Sequence, residues 1–82
     1  MLSPAQEREL RRSIDRSLAA AEQHLKQLRA QPSDKERYAS AERVRAFIAQ
    51  AQQARRQGDL NRARSLAERA ELLASDLARA SQ

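Results

Sequence analysis

Cysteine, threonine and tryptophan are absent from this 82-residue chain, which has one glycine and two prolines. Without cysteine the chain forms no disulfide and offers no thiolate. Only Ile14, Val44 and Ile48 are β-branched, so a sheet has almost nothing from which to form. So few glycines and prolines leave room for only a few long elements.

Long apolar runs are also missing. No window approaches the roughly 18 consecutive apolar residues that a membrane-spanning helix needs. We therefore expect a soluble chain with no transmembrane segment.

The residues that usually carry chemistry are sparse. His24 is the only histidine, and no cysteine or second histidine stands at ligand spacing, so we predict no metal site and a surface position for His24. No nucleophile elbow or glycine-rich loop occurs. With Tyr38 and Phe47 as the only aromatic residues, little is available to shape a pocket. We predict no catalytic residue, no cofactor, no small-molecule substrate and no enzyme activity.

The residues that are abundant are strong helix formers: alanine, glutamate, glutamine, leucine and arginine. Ser3 and Pro4 suit the cap and the first position of a helix. Pro32 disfavours helical geometry at the residue before it. These features predict a first helix over about 4–30.

Two further helix starts and one stop are visible. Ser33 and Glu36 form a capping box, which predicts a second helix over about 34–57. Gly58 supplies a left-handed residue that ends this helix, and Asp59 caps a third helix over about 60–80. The connection is so short that helices two and three must fold back as an antiparallel hairpin.

Apolar residues recur at alternating steps of three and four along each predicted helix, the spacing of a coiled-coil seam. The seams are Ile14, Leu18, Ala21, Leu25 and Leu28, then Ala41, Val44, Ile48 and Ala51, then Ala63, Leu66, Ala70, Leu73, Leu77 and Ala80. Further apolar residues flank the seams of helices two and three and widen their apolar faces, as suits a helix with two neighbours. These flanking residues are Phe47, Ala54, Leu60, Ala67 and Ala74.

This pattern predicts a single all-α domain over residues 1–82, an antiparallel three-helix bundle that runs up, down and up with coiled-coil-like packing. We expect Phe47 in its core. The alternative is a hairpin of helices two and three, with helix one exchanged onto a second chain.

Helices two and three also carry a resemblance to known proteins. Ala54 before the Gly58-Asp59 turn, followed by Ala63, Leu66 and Ala70, resembles a tetratricopeptide-type hairpin, although the Trp-Leu-Gly opening of that family is absent. The hairpin is also similar to Ala/Leu-rich tail segments of uncharacterised bacterial envelope proteins. That similarity implies a bacterial source and an exported parent protein.

Two large side chains, Leu72 and Tyr38, fall outside the predicted seams. They are the candidate partner surface of a module whose thin, alanine-rich core gains from covering one more face. We therefore predict a non-enzymatic helical module for protein–protein interaction or self-association, with a protein partner or a second copy.

The rival hypothesis rests on charge. The chain has a net charge of +5, and Arg8, Arg11, Arg12 and Arg16 cluster in the first helix. They are candidate phosphate contacts for nucleic acid or an anionic membrane. Acidic residues lie within the same turns and no aromatic platform accompanies the arginines, so we favour a solvated face.

Overall fold

A computed structural model of the chain describes residues 2–28 and 35–80 and shows three helices. They are α1 (Pro4–Gln27), α2 (Lys35–Arg56) and α3 (Leu60–Ala80), and no strand occurs within the described ranges. The predicted all-α three-helix bundle is confirmed. The predicted stop at Pro32 and the capping box that begins at Ser33 lie outside the described residues.

The helices alternate in direction. The side chain of Arg37, near the start of α2, donates a hydrogen bond to the carbonyl oxygen of Ala80, the last residue of α3, at 3.0 Å. Asp15 of α1 pairs with Arg55 late in α2, whereas Lys26, later in α1, lines a groove with Arg45. Positions therefore rise along α1 as they fall along α2, and α2 is antiparallel to both neighbours.

The central element is α3. It packs along its length against both α1 and α2, whereas α1 and α2 make few contacts with each other. A helix with two neighbours needs a wider apolar face than a two-stranded seam. The buried residues of α3 accordingly include the three flanking positions Leu60, Ala67 and Ala74, together with the seam residues Ala63, Leu66, Ala70 and Leu77. Helix α1 packs against α3 of its own chain. The structure therefore differs from the alternative in which helix one is exchanged onto a second chain.

The core is rich in alanine. Eight of the fifteen buried hydrophobic residues in the described ranges are alanine, so the core gains little apolar area from each position. The large fully buried side chains are Ile14 and Val44. Ser17 is the one buried polar residue there, and it takes a place on the α1 face where alanine would also fit.

Several predicted core positions are only half-buried. Phe47 packs against the core from its edge, as do the seam residues Leu25, Leu28 and Leu73, and Leu10, which was not predicted, does the same. The prediction that Ala80 extends the third seam is wrong, because Ala80 is exposed. Ala80 is the last residue of α3, and the neighbouring helices no longer cover α3 at this end.

Both ends of α1 are well defined. The Ser3 hydroxyl accepts a hydrogen bond from the Gln6 amide at 3.1 Å, and Gln6 Oε1 accepts from the Ser3 amide at 2.9 Å, which completes a capping box. Helix α1 ends at Gln27, earlier than the predicted residue 30. Leu28 leaves helical geometry, with φ −70° and ψ 125°, and packs its side chain against the core from an extended backbone.

The turn between α2 and α3 is a Schellman motif. Gly58 has φ 80°, as predicted, and its amide donates to the Arg55 carbonyl at 3.1 Å. The Asp59 amide donates to the Ala54 carbonyl at 2.9 Å, so two orphan carbonyls of α2 are satisfied. The Asp59 carboxylate then accepts from the Arg62 amide at 3.3 Å and caps α3.

Replacing Gly58 by valine is expected to lower the free energy of unfolding by about 1 kcal/mol or more, because a β-branched side chain resists positive φ. A Cβ at this position would meet no atom within 4 Å, so the penalty comes from the backbone alone. Urea unfolding followed by circular dichroism measures it. Gly58→Asn is the matched control and should cost less, since asparagine tolerates the left-handed region. Equal stability of wild type and Gly58→Val would contradict the account of this turn.

Candidate functional site

Leu72 and Tyr38 both lie on the surface, with 66% and 63% of their area exposed. Leu72 falls between the buried residues Ala70 and Ala74 of α3, so it points away from α1 and α2. Tyr38 follows Arg37, which bonds the end of α3, whereas Leu72 is eight residues, about 12 Å, before that end. The two candidate partner residues therefore lie on different helices, about two turns apart along the bundle.

An open groove separates the C-terminal half of α1 from α2. Glu22, Leu25 and Lys26 of α1 line it together with Arg45 and Ile48 of α2, and its volume is about 360 Å³. We call it the α1–α2 groove. It exists because both helices pack on α3 rather than on each other. Leu25 and Ile48 form its apolar floor, while the three charged residues stand at its rim.

An ion pair also joins α1 and α2, about two helical turns from the groove along each helix. Arg55 Nε lies 3.0 Å from Asp15 Oδ1, and Arg55 Nη2 donates to Asp15 Oδ2 at 3.2 Å. This pair was not predicted from the sequence. The pair is partly exposed, so it contributes at most about 1 kcal/mol to stability. Its larger effect is geometric, since it fixes where α1 and α2 approach each other.

Tyr38 belongs to the same side of α2 as the groove. It precedes Arg45 by seven residues, which is close to two full helical turns, so both side chains project from one row. Of the two predicted partner residues, Tyr38 therefore extends the row of Arg45 at the rim of the α1–α2 groove. Leu72 lies on the opposite side of the bundle.

The excess positive charge is carried mainly by α2. That helix has six basic and two acidic residues, whereas α1 has five and four, and α3 has four and three. At the groove, Arg45 is engaged by Glu42 at 2.6 Å in an exposed pair. Lys26 has no carboxylate within ion-pair distance in the described ranges, although Glu22 precedes it by four residues on the same helix. The rim cations Lys26 and Arg45 are therefore matched by two carboxylates, Glu22 in the lining and Glu42 beside Arg45.

The four arginines predicted as phosphate contacts divide into two pairs. Arg11 lies 3.2 Å from Glu7, and Arg16 lies 3.4 Å from Glu9. Arg8 and Arg12 are exposed and have no carboxylate at ion-pair distance among residues 2–28 and 35–80. They are spaced i,i+4 and project from one face of α1.

His24 is partly buried, not a surface residue as expected. Its Nδ1 atom is shielded from solvent and has no hydrogen-bond partner within the described structure. The reason lies in its position: His24 directly precedes Leu25 and flanks the apolar face of α1. Across the same residues, no three histidine, cysteine, aspartate or glutamate side chains gather closely enough to hold a metal ion.

In the part of the chain that the structure describes, no helix combines sufficient length with sufficient apolar character to cross a bilayer.

Comparison with known proteins finds no match to this chain. No family model matches the chain, and no curated protein or solved structure matches it.

Proposed function

We propose that this chain is a non-enzymatic helical module that contacts other protein chains, including copies of itself, through helix surfaces. The observation that carries the proposal is the exposure of large apolar side chains outside a core built mainly from alanine. Leu72 exposes 66% of its area on α3, and Tyr38 exposes 63% on α2. Apolar surface of this kind gains free energy when a partner covers it.

The α3 surface suits self-association. Helix α3 is nearly balanced in charge, with four arginines and three acidic residues. Two copies of the chain would therefore pack their α3 helices together with little repulsion. Leu72 stands at the middle of that surface. A two-fold symmetric contact would place Leu72 of each copy against the other.

Sedimentation equilibrium across a wide concentration range tests self-association. We expect wild type to form dimers at high micromolar concentration, and Leu72→Glu to remain monomeric with an unchanged melting temperature. The melting temperature should hold because Leu72 is outside the core. Leu2→Glu, a matched change at another exposed leucine, should leave the dimer intact. A monomeric mass for wild type at all concentrations would remove self-association and leave only a foreign partner.

A phosphate-binding module is the second candidate. The specific observation in its favour is the co-facial pair Arg8 and Arg12, which has no carboxylate at ion-pair distance among the described residues. Two such contacts are few, so we expect no binding to a random DNA duplex at micromolar protein and physiological salt. A dissociation constant well below the non-specific range of about 10⁻⁴–10⁻⁶ M would make this function the leading one.

The bacterial source and exported parent protein implied by the resemblance of the α2–α3 hairpin remain part of the proposal. They are consistent with a small contact module, because such modules are commonly carried within longer chains.

A further inference from the structure

We propose that the outer face of α3 pairs with the same face of a second copy of this chain, with the two α3 helices antiparallel about Leu72. The outer face is the side of α3 opposite its buried residues, and all of its members are exposed: Ser65, Glu68, Arg69, Leu72, Asp76 and Arg79. The inference rests on the proposed function as a self-associating module. It adds the orientation of the two copies and the ion pairs that fix that orientation.

Leu72 lies at the centre of the outer face. Ala63, which is completely buried against the other helices, precedes Leu72 by nine residues, or about two and a half helical turns. The two side chains therefore point in opposite directions from α3, and neither α1 nor α2 covers Leu72. A two-fold axis that crosses α3 at this residue brings the exposed leucines of the two copies together.

Charge is unevenly distributed along α3. Its first half, residues 60–69, carries three arginines and one acidic residue, whereas its second half, residues 70–80, carries one arginine and two acidic residues. The helix dipole has the same sense, since its positive end is the N-terminal end. Antiparallel pairing sets a basic half against an acidic half twice, whereas parallel pairing sets like against like. Charge therefore selects the antiparallel orientation.

The same arrangement brings Arg69 of each copy to Asp76 of the other. These two residues are seven positions apart, close to two full turns, so they lie in one row beside Leu72. The two-fold axis sets this row against itself in reverse, so Arg69 faces Asp76 at both ends of the contact. Glu68 lies in the row on the other side of Leu72 and faces Ser75, so no acidic pair is formed there.

Both partners of this contact are available in the single chain. Arg69 has no carboxylate at ion-pair distance among residues 2–28 and 35–80. The Asp76 carboxylate pairs with Arg79 of its own chain at an exposed position, and a carboxylate accepts hydrogen bonds from more than one donor. A second copy therefore supplies Arg69 with a carboxylate without breaking an existing pair.

Charge exchange between the two positions tests the contact on the full chain. Arg69→Glu and Asp76→Arg should each weaken self-association by about tenfold, because each variant sets like charges together twice. An equimolar mixture of the two should associate as tightly as wild type, since both contacts of the mixed dimer join opposite charges. Sedimentation equilibrium at matched total concentrations measures these differences. Arg43→Glu, at an exposed arginine of α2, is the matched control and should alter self-association less than twofold, and circular dichroism should show every variant folded.

Introduced cysteines test the orientation, because the chain has none of its own. Ser65 and Arg79 lie seven residues before and after Leu72, so antiparallel pairing brings position 65 of one copy to position 79 of the other. The two copies of position 65 are then about 21 Å apart along the helices, too far for a disulfide. Under mild oxidation, a mixture of Ser65→Cys and Arg79→Cys should give a disulfide-linked dimer, and Ser65→Cys alone should not.

Three results would overturn the inference. A mixture of the charge variants that associates no more tightly than each variant alone would remove the contact between Arg69 and Asp76. A linked dimer from Ser65→Cys alone would make the pairing parallel. If wild type dimerises through Leu72 in either case, the inference fails and the proposed function stands. A wild type that is monomeric at all concentrations would leave the outer face to a different protein, and both the inference and self-association would be wrong.

Discussion

Truncation of Ile14 to alanine is expected to lower the free energy of unfolding by about 2–4 kcal/mol. Ile14 is completely buried, and in the part of the chain that the structure describes Val44 is the only other large side chain that is. Removing three carbons there loses their burial and leaves a cavity that rigid helix backbones fill only in part. A domain of this size has a total stability of about 4–12 kcal/mol, so the loss is a large fraction of it.

Urea unfolding measures this change, with Leu72→Ala as the matched control. That variant also truncates a large aliphatic side chain, but one that is 66% exposed, so its stability should change by about 0.5 kcal/mol or less. A cost below about 1 kcal/mol for Ile14→Ala would place Ile14 outside the true core and would undermine the packing of α1 on α3.

Enlarging Ala63 to leucine is expected to destabilise the bundle by about 1–3 kcal/mol. Ala63 is completely buried on α3, the helix that packs against both neighbours. A leucine there requires α1 or α2 to move outward, or other side chains to leave favourable rotamers. The same close packing lets a core dominated by alanine hold three helices together.

The matched control is Ala46→Leu, at an exposed position of α2. Leucine and alanine have similar helix propensity, so this change should be nearly neutral. If Ala63→Leu instead raised the free energy of unfolding, an unfilled space beside Ala63 would have to exist, and α3 could not be as tightly enclosed as described.

The helix ends were predictable where local chemistry decides them. Ser3 with Pro4 starts α1, and Gly58 with Asp59 ends α2 and starts α3, because caps and left-handed turns depend on a few adjacent residues. The end of α1 was predicted too late. Leu28 exchanges helical geometry for packing against the core, and tertiary contact of that kind has no local sequence pattern.

The spacing of the apolar residues predicted which face of each helix is buried, but it did not predict how the three helices are arranged. Steps of three and four marked most buried positions on each helix, and widened stripes indicated helices with two neighbours. Both α2 and α3 had such stripes, so the central place of α3 emerged only from the structure. Leu10 was missed although it precedes Ile14 by four residues, the spacing that would have revealed it.

The candidate surfaces were predictable only in part. Leu72 and Tyr38 fell outside the seams in the sequence, and the structure places both on the surface. The α1–α2 groove and the Asp15–Arg55 pair were not predicted, because each depends on the distance between two helices distant in sequence. Lone polar residues such as Asp15 give no indication of a partner forty residues away.

Site-specific photo-crosslinking tests the central claim, contact with another protein chain through an exposed helix surface, most directly. A photoreactive amino acid replaces Leu72 on the exposed face of α3, or Gln23 on an exposed face of α1, in cells that produce the chain. The account predicts a discrete crosslinked protein adduct from position 72 and none from position 23. Equal crosslinking from both positions, or none from position 72, would contradict it.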